Sequence, residues 1–422
     1  MIMDTKIKAV VLAAGKGMRF RPLTNNRPKP LLKTLDRAIL DHNLNQLNGL
    51  VDEIVLVIGY LGETIKNTFG SSYKGIKIHY IEQNSPRGTG DAARMALPRI
   101  KDKFLLLNGD DLYDKNDIKK VLAQFPSVLL AETKNHSNFG VIDLNNDLVR
   151  GIVEKPKKSA SQLVNAGLYF LPKKVFDYKI KLSPRGEYEF TDYINKFVEK
   201  EKLYWVKAGR WCPLSYPWNL FDANEFLLAE GKKALEGRIE QNCRLGGKII
   251  VQKGAVVKAG SYFEGPIYIG RNAIVGPNCY LKGPLSIGAN AVVGHGAVIE
   301  RSIIGDRSQV ARLSYVADSV IGSDCDLAAG TTIANYRFDG ATIKVATNGK
   351  VVDTKLTRFG CIMGDDAKTG VNSSIMPGVI IGNGAVIGPH SIVMENVPDN
   401  AVLFSKTESV IKKKKINDAR KG

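Results

Sequence analysis

The chain has 422 residues, a formal net charge of +18, 44% apolar and 24% charged residues. That length calls for two or three domains, and the composition excludes a disordered chain, while the lack of any apolar run of spanning length excludes a helical membrane protein. The excess of positive charge points to an acidic partner: nucleic acid, an anionic lipid surface, or small polyanions such as nucleotides.

No basic motif interleaved with aromatic residues is present, which argues against nucleic acid. The one dense basic run, Lys412–Lys415, reads as a solubilising or docking tail. Five cysteines (Cys212, Cys243, Cys279, Cys325 and Cys361) are odd in number, far apart and form no CxxC pair, so neither a disulfide framework nor a zinc site is expected. A reducing cytoplasm fits this usage best.

In chain order, "MIMDTKIKAVVLAAG" lacks the long apolar run and small-residue cleavage site of a signal peptide and is expected to hold the first strand. Short apolar runs follow at 54–60, 77–82, 104–110, 127–133 and 163–171. They alternate with amphipathic stretches such as "DAARMALPRI" and "NDIKKVLAQF", the pattern of β-α units around a largely parallel sheet. "WNLFDANEFLLAEGKKALEG" has apolar residues at helical spacing with Gly237 after it, and predicts a closing helix.

From Val251 the grammar changes. An apolar residue recurs at every sixth position (Val251, Val257, Phe263, Ile269, Val275, Leu281, Ile287, Val293, Ile299), and the rhythm resumes after slips at Ile304, Ile321 and Ile375. A period of six predicts a solenoid whose coils have three short flat sides, each placing one aliphatic side chain inside. The expected division is therefore a first domain over 1–230, a connecting helix and linker over 231–248, a solenoid over 249–405 and a basic tail over 406–422, with a separate core in each domain. The segment from Ala334 to about Gly360 breaks the repeat and is expected to cross towards a neighbouring copy.

Residues 12–30, "LAAGKGMRFRPLTNNRPKP", place glycines and five cations directly after the first strand. Such a turn lets backbone N–H groups approach phosphate oxygens while the cations neutralise their charge. It is not a Walker P-loop, because no GKS or GKT follows, and glycines alone would equally suit an ordinary turn.

The whole string resembles the signature of the sugar-1-phosphate nucleotidylyltransferases, with Met18 where that family commonly has threonine. The resemblance implies nucleotide contacts from Leu12, Ala13, Ala14, Gly15 and Gly17, with Arg19 on the departing pyrophosphate and Lys29 on the sugar phosphate and α-phosphate. "EQNSPRGTGDA" resembles the base-recognition segment, with Gln83 on the pyrimidine edge and Gly88 and Thr89 against the base. "LLLNGDD" resembles the strand ending in a Mg²⁺-binding aspartate, here Asp110. Gly140, Glu154 and Asn165 match sugar-contacting positions, and "RGEYEFTDYI" resembles a family segment without an assigned role. Where the family often has "WxDxGxPWDL", this chain reads "WCPLSYPWNLFDAN", so Asn219 is the expected second metal ligand and Asp222 the alternative.

The six-residue repeats resemble the left-handed parallel β-helix family, many members of which are trimers with ligands between neighbouring coils. The full arrangement resembles the archaeal bifunctional sugar-1-phosphate nucleotidylyltransferase/acetyltransferases and their bacterial relatives that make UDP-N-acetylglucosamine. That implies an α/β Rossmann-like nucleotidyltransferase domain with a mostly parallel sheet, followed by the β-helix. It further implies a nucleoside triphosphate (UTP or dTTP) and a sugar-1-phosphate as substrates, Mg²⁺ as cofactor, and a homotrimer binding neither nucleic acid nor membrane.

"ARLSYVADSVIGSDCDLAAGTTIANYRFDG" resembles the acetyltransferase site, with Tyr315, Asn335 and Tyr336 on sugar- or acetyl-site positions, which leaves acetyl-CoA open as a second cofactor. Arg312, however, stands where that family places its catalytic histidine, and Asp326 replaces an expected asparagine. His295 and His390 are the two histidines of the solenoid, and surface or loop roles are the plainer reading of both. Similar domain pairs also occur in non-catalytic regulatory subunits; retention of Gly15, Gly17, Arg19, Lys29, Gln83 and Asp110 together points instead to a working first site.

Overall fold

The computed structural model describes residues 7–133, 138–156, 161–231, 233–406 and 408–411. The lysine run 412–415 and most of the expected basic tail lie outside the described residues.

A ten-stranded sheet organises the first domain. Lys103–Asn108, Lys8–Ala13, Glu53–Ile58 and Ile76–Glu82 lie side by side in that order and run parallel. Successive residues of the first strand enter different cores: Ala9, Val11 and Ala13 pack on one face of the sheet, Val10, Leu12 and Ala14 on the other. Burial on both faces explains why Lys103–Asn108, Lys8–Ala13 and Glu53–Ile58 read as continuous apolar runs, while the edgeward Ile76–Glu82 is only partly buried and alternates. Helices such as Ile39–Leu47 and Lys115–Ala123 contribute to the first core, and Phe190–Val198 to the second.

The parallel arrangement expected from the sequence holds for this half. Beyond Lys103–Asn108 the pairing is mostly antiparallel, starting with Leu163–Pro172. Gly140–Asn145 and Leu148–Glu154 are joined by a two-residue turn, and hairpin connections of that kind impose antiparallel pairing.

The second domain is a left-handed parallel β-helix of three all-parallel sheets with 8, 9 and 8 strands. Coils stack in register, Ile249 against Ile267 and Ile267 against Leu285. The residues of the six-residue series, Val251, Val257, Phe263 and Ile269 among them, point inward and are fully buried in one continuous core.

One expectation needs correction here. The closing helix spans Asn219–Glu230 and stops before Gly231, and residues 234–246 are not a linker but the first coil: Ala234–Leu235, Arg238–Ile239 and Arg244–Gly246 each pair in parallel with the coil above. The six-residue rhythm in fact runs back through Leu245 and Ile239, both packed on the solenoid core, but the polar residues between them hid it. Part of the insertion after Ala334 packs on its own chain, while Phe338 is fully exposed. The packed part forms an antiparallel hairpin, Lys344–Thr347 with Lys350–Asp353, whose Val345 is buried with Trp218 and Phe221 of the same chain.

The domains also share a core. The outward residues Ile303, Val320 and Ile362 of one solenoid sheet pack with Leu23, Leu32, Leu220 and Phe221 of the first domain. At its rim Lys33 donates to Asp306 at 2.5 Å, Asn25 to Asp399 at 2.6 Å, and Arg27 to Asp365. Removing everything after residue 231 would uncover those four apolar side chains. The truncated domain is expected to aggregate, or to melt well below the full chain, as read by soluble yield and circular dichroism. A soluble fragment melting like the first domain of the intact protein would show that the shared core contributes little.

Candidate active site

The parallel strands bring their carboxyl ends to one edge, where open α/β sheets bind ligands. Three segments converge there: the glycine loop after Ala13, the turn after Asn108, and residues 211–216. Gly17 has φ of +61°, and a Cβ on it would come within 3.1 Å of the Lys29 Cβ, so glycine lets the loop pass directly over that lysine. Thr24 fixes the turn by donating its hydroxyl to the Gly17 carbonyl at 2.8 Å.

Lys29 is the buried cation of the site, 8% exposed. Its ammonium donates to Asp110 Oδ2 at 2.7 Å and to the Leu214 carbonyl, and lies 5.0 Å from the Phe20 ring centre. Beside this pair stands Asp111, which accepts from the Leu214 N–H at 3.0 Å. Burial pushes its carboxyl up to about 6; the neighbouring Asp110 adds to the rise and Lys29 opposes it. Sequence reading passed over Asp111 although the doubled aspartate of "NGDD" was in view.

Two cavities meet at Lys29 and Asp110. One, about 420 Å³, is lined by Leu12, Ala13, Ala14, Gly15, Gly17, Gln83, Gly88 and Thr89, so the residues expected at the nucleotide are gathered in it, apart from Arg19. Gln83 is buried, and its amide nitrogen donates to Asp91 Oδ2 at 2.8 Å and to the Gly88 carbonyl at 3.4 Å. Both amide hydrogens are thereby engaged, and Oε1 is left as an acceptor. Gly88 has φ of +106°, and a Cβ there would lie 2.5 Å from the Tyr188 carbonyl oxygen, too close for any other residue.

The other cavity, about 440 Å³, holds Arg19, Gly140, Glu154 and Asn165. Gly140 and Glu154 are cross-strand partners, and Glu154 accepts from the Thr191 hydroxyl at 3.3 Å. Glu187, Glu189, Phe190 and Thr191 also line it, which gives the "RGEYEFTDYI" segment a place in the site.

Asn219 and Asp222 do not belong to this arrangement. They line a separate cavity between the domains, and the Asn219 side-chain oxygen is taken up by the N–H groups of Ser215 (3.2 Å) and Tyr216 (2.9 Å). Asp222 accepts from the Asn219 amide at 3.0 Å. A carbonyl oxygen already capping two backbone groups is a poor metal ligand, so Asn219 is corrected to a residue that shapes the 215–219 turn. The carboxylates beside Lys29 are the hard oxygen donors Mg²⁺ prefers, and one or two carboxylates with substrate phosphates and water suffice for it. Asp110 fits: one of its oxygens takes the Lys29 bond, and the other takes no hydrogen bond from the described residues.

On the solenoid, Asn335 is buried and donates to Asp318 at 2.5 Å, and Tyr336 lies under the Arg358 guanidinium, 5.1 Å from its ring centre. Arg312 sits apart at an exposed coil corner, its side chain without an ion pair or hydrogen bond among the described residues. The corner directly before it in the stack is His295, whose carbonyl accepts the Leu313 N–H at 2.9 Å.

A site that joins a glycine loop, a buried lysine and a carboxylate at the edge of such a sheet defines a nucleotidyl-transferring enzyme, and the chain belongs to the nucleotidyl transferase family, whose model matches residues 8–230. Residues 263–362 match the GMPPB C-terminal domain and 360–394 the bacterial transferase hexapeptide (six repeats). The chain is 41% identical to the bifunctional protein GlmU of Methanococcus maripaludis (strain C7), over 96% of this chain and 99% of that protein. It is 37% identical to the bifunctional protein GlmU of Methanocaldococcus jannaschii, over 96% of this chain and 100% of the other. With the bifunctional sugar-1-phosphate nucleotidylyltransferase/acetyltransferase of Sulfurisphaera tokodaii the identity is 34%, over 93% and 98%.

Replacing Lys29 with alanine leaves Asp110 and the Leu214 carbonyl without their shared cation. Pyrophosphate release is expected to fall by about a hundredfold or more, and Lys29→Arg to restore little, because a planar guanidinium does not fit a point-charge site. Turnover and melting of both variants check this.

Proposed function

We propose that this chain transfers a nucleotidyl group from UTP or dTTP to a sugar-1-phosphate, releasing pyrophosphate. The observation that carries the reading is the meeting of two cavities at Lys29 and Asp110, because the reaction must bring two polyanions together at one phosphorus. The names of the relatives support it.

Under this reading the sugar phosphate attacks the α-phosphorus and pyrophosphate leaves in line. Lys29 spans the junction and offsets charge on both phosphates; Arg19 holds the departing pyrophosphate. Asp110, with Asp111 behind it, would hold Mg²⁺, which when bound supplies further charge neutralisation. Gln83 selects the base: its free oxygen accepts from a ring N–H such as N3–H of uracil or thymine, while a cytosine or adenine edge offers an unprotonated nitrogen there. Gly140, Glu154 and Asn165 take the sugar hydroxyls. The enzyme would work in the cytoplasm as a homotrimer joined through the solenoids.

The second reading concerns acetyl transfer, which is proposed to be absent or greatly weakened. Attack of a sugar amine on acetyl-CoA needs a base that titrates near neutral pH, and a guanidinium has no lone pair to offer. The isolated position of Arg312 suits an anion-binding role better than a structural ion pair.

Pyrophosphate release measured over a panel of nucleoside triphosphates and sugar phosphates tests the first reading; UTP and dTTP should lead and CTP and ATP trail by tenfold or more. Asp110→Asn, or chelation of Mg²⁺, should abolish turnover while the sedimentation of the assembly stays unchanged. Near-normal turnover of that variant at saturating Mg²⁺ would remove Asp110 from the reaction. Thiol release from acetyl-CoA with glucosamine- and galactosamine-1-phosphate tests the second. Little release by the unmodified chain and a gain in Arg312→His are expected; robust release unaffected by that change would show that another base, His295 first among them, has been recruited.

A further inference from the structure

Arg19 is exposed, and among the described residues its side chain has no hydrogen bond or ion pair. Its guanidinium lies over the Tyr216 ring, whose centre is 5.4 Å from the guanidinium carbon. Tyr216 in turn stacks on Trp218, with ring centres 4.6 Å apart and planes 3° from parallel. Trp218 is buried and meets Phe359 edge to face at 6.0 Å and 71°. Phe359 belongs to the other domain: it is fully buried in the solenoid insertion, and its N–H donates to the Asn335 carbonyl at 2.9 Å.

The loop is held at a second point by the same insertion, where Asn348 donates its amide to the Met18 carbonyl at 3.0 Å. The turn that presents Tyr216 is pinned by the Asn219 oxygen.

From this run of contacts we infer that Tyr216 and Phe359 are positioning residues for Arg19, so that the solenoid insertion completes the nucleotidyl site. The inference rests on the reading of Arg19 as the pyrophosphate-binding cation. A free arginine loses several rotatable bonds when it closes on a phosphate; a ring stacked beneath it removes much of that cost beforehand and aims the planar group. The rigid Trp218–Phe359 backing sets where that ring stands.

The test is a double-mutant cycle on the full-length protein, reading UTP and inorganic pyrophosphate binding by calorimetry alongside kcat and KM. Tyr216→Leu and Phe359→Leu should each weaken pyrophosphate binding and lower kcat by about three- to tenfold, whereas Tyr216→Phe, which keeps the ring, should stay within about twofold of the unmodified protein. On an Arg19→Ala background neither leucine substitution should cost anything more. Equal further losses on that background would overturn the proposal in favour of a purely structural role, as would unchanged binding in Tyr216→Leu. If Phe359→Leu fails to fold, judged by its circular dichroism, the half-buried Tyr216 decides the matter alone. An unmodified protein that neither bound UTP nor released pyrophosphate would overturn the activity reading itself, and this inference with it, a result distinct from either failure of the cycle.

Discussion

The site depends on one buried ammonium. Lys29 ties together three pieces of chain far apart in sequence: its own glycine loop, the strand end at Asp110, and the Leu214 carbonyl. A charged amine taken from water is tolerable only where several acceptors replace its hydration. Here a carboxylate, a carbonyl and the face of Phe20 do so. The same bonds fix the spacing between the two cavities, and with it the distance at which two anionic ligands would meet. Asp111 shows the other side of this arrangement: burial raises its carboxyl, Asp110 adds to the rise, and the single lysine only partly opposes it.

The solenoid is more than an appended domain. One of its three sheets turns apolar side chains outward, and these are covered by the first domain and by the insertion hairpin. Asp306 and Asp365 at the rim each serve two purposes, accepting a backbone N–H from the coil before and a cation from the signature segment. Partly exposed ion pairs of this kind contribute little energy each. Their effect is on register: Arg27 and Lys33 lie on either side of Lys29 in sequence, and holding them to particular coils constrains how the whole segment runs.

At the solenoid corner, chemistry and architecture separate. The β-helix keeps its coils whatever occupies an exposed corner, because its core is built from the inward residues alone. An exposed corner residue such as Arg312 can therefore change without structural cost, and the fold by itself does not preserve a chemistry placed there. The buried pair Asn335 and Asp318, by contrast, is held by its own hydrogen bond and by the chain passing through Phe359.

What the sequence alone determined was periodic or contiguous. The apolar runs marked the parallel strands, the six-residue rhythm marked the coils, and the residues from Leu12 to Gly17 line one cavity almost without a break, because a loop that turns over a cavity draws its lining from neighbouring positions. Most of what escaped it depended on distance. That 234–246 already forms a coil was masked by polar residues between Ile239 and Leu245, and the Asn219 cap on Ser215 and Tyr216 is a local bond that the residue type alone does not announce. That Asp111 stands beside the Lys29–Asp110 pair, and that Arg19 rests on a stack reaching Phe359, each join side chains far apart along the chain. Such relations carry no period and no local motif. They exist only once the chain has folded and decided which polar atoms are already satisfied and which remain for a ligand.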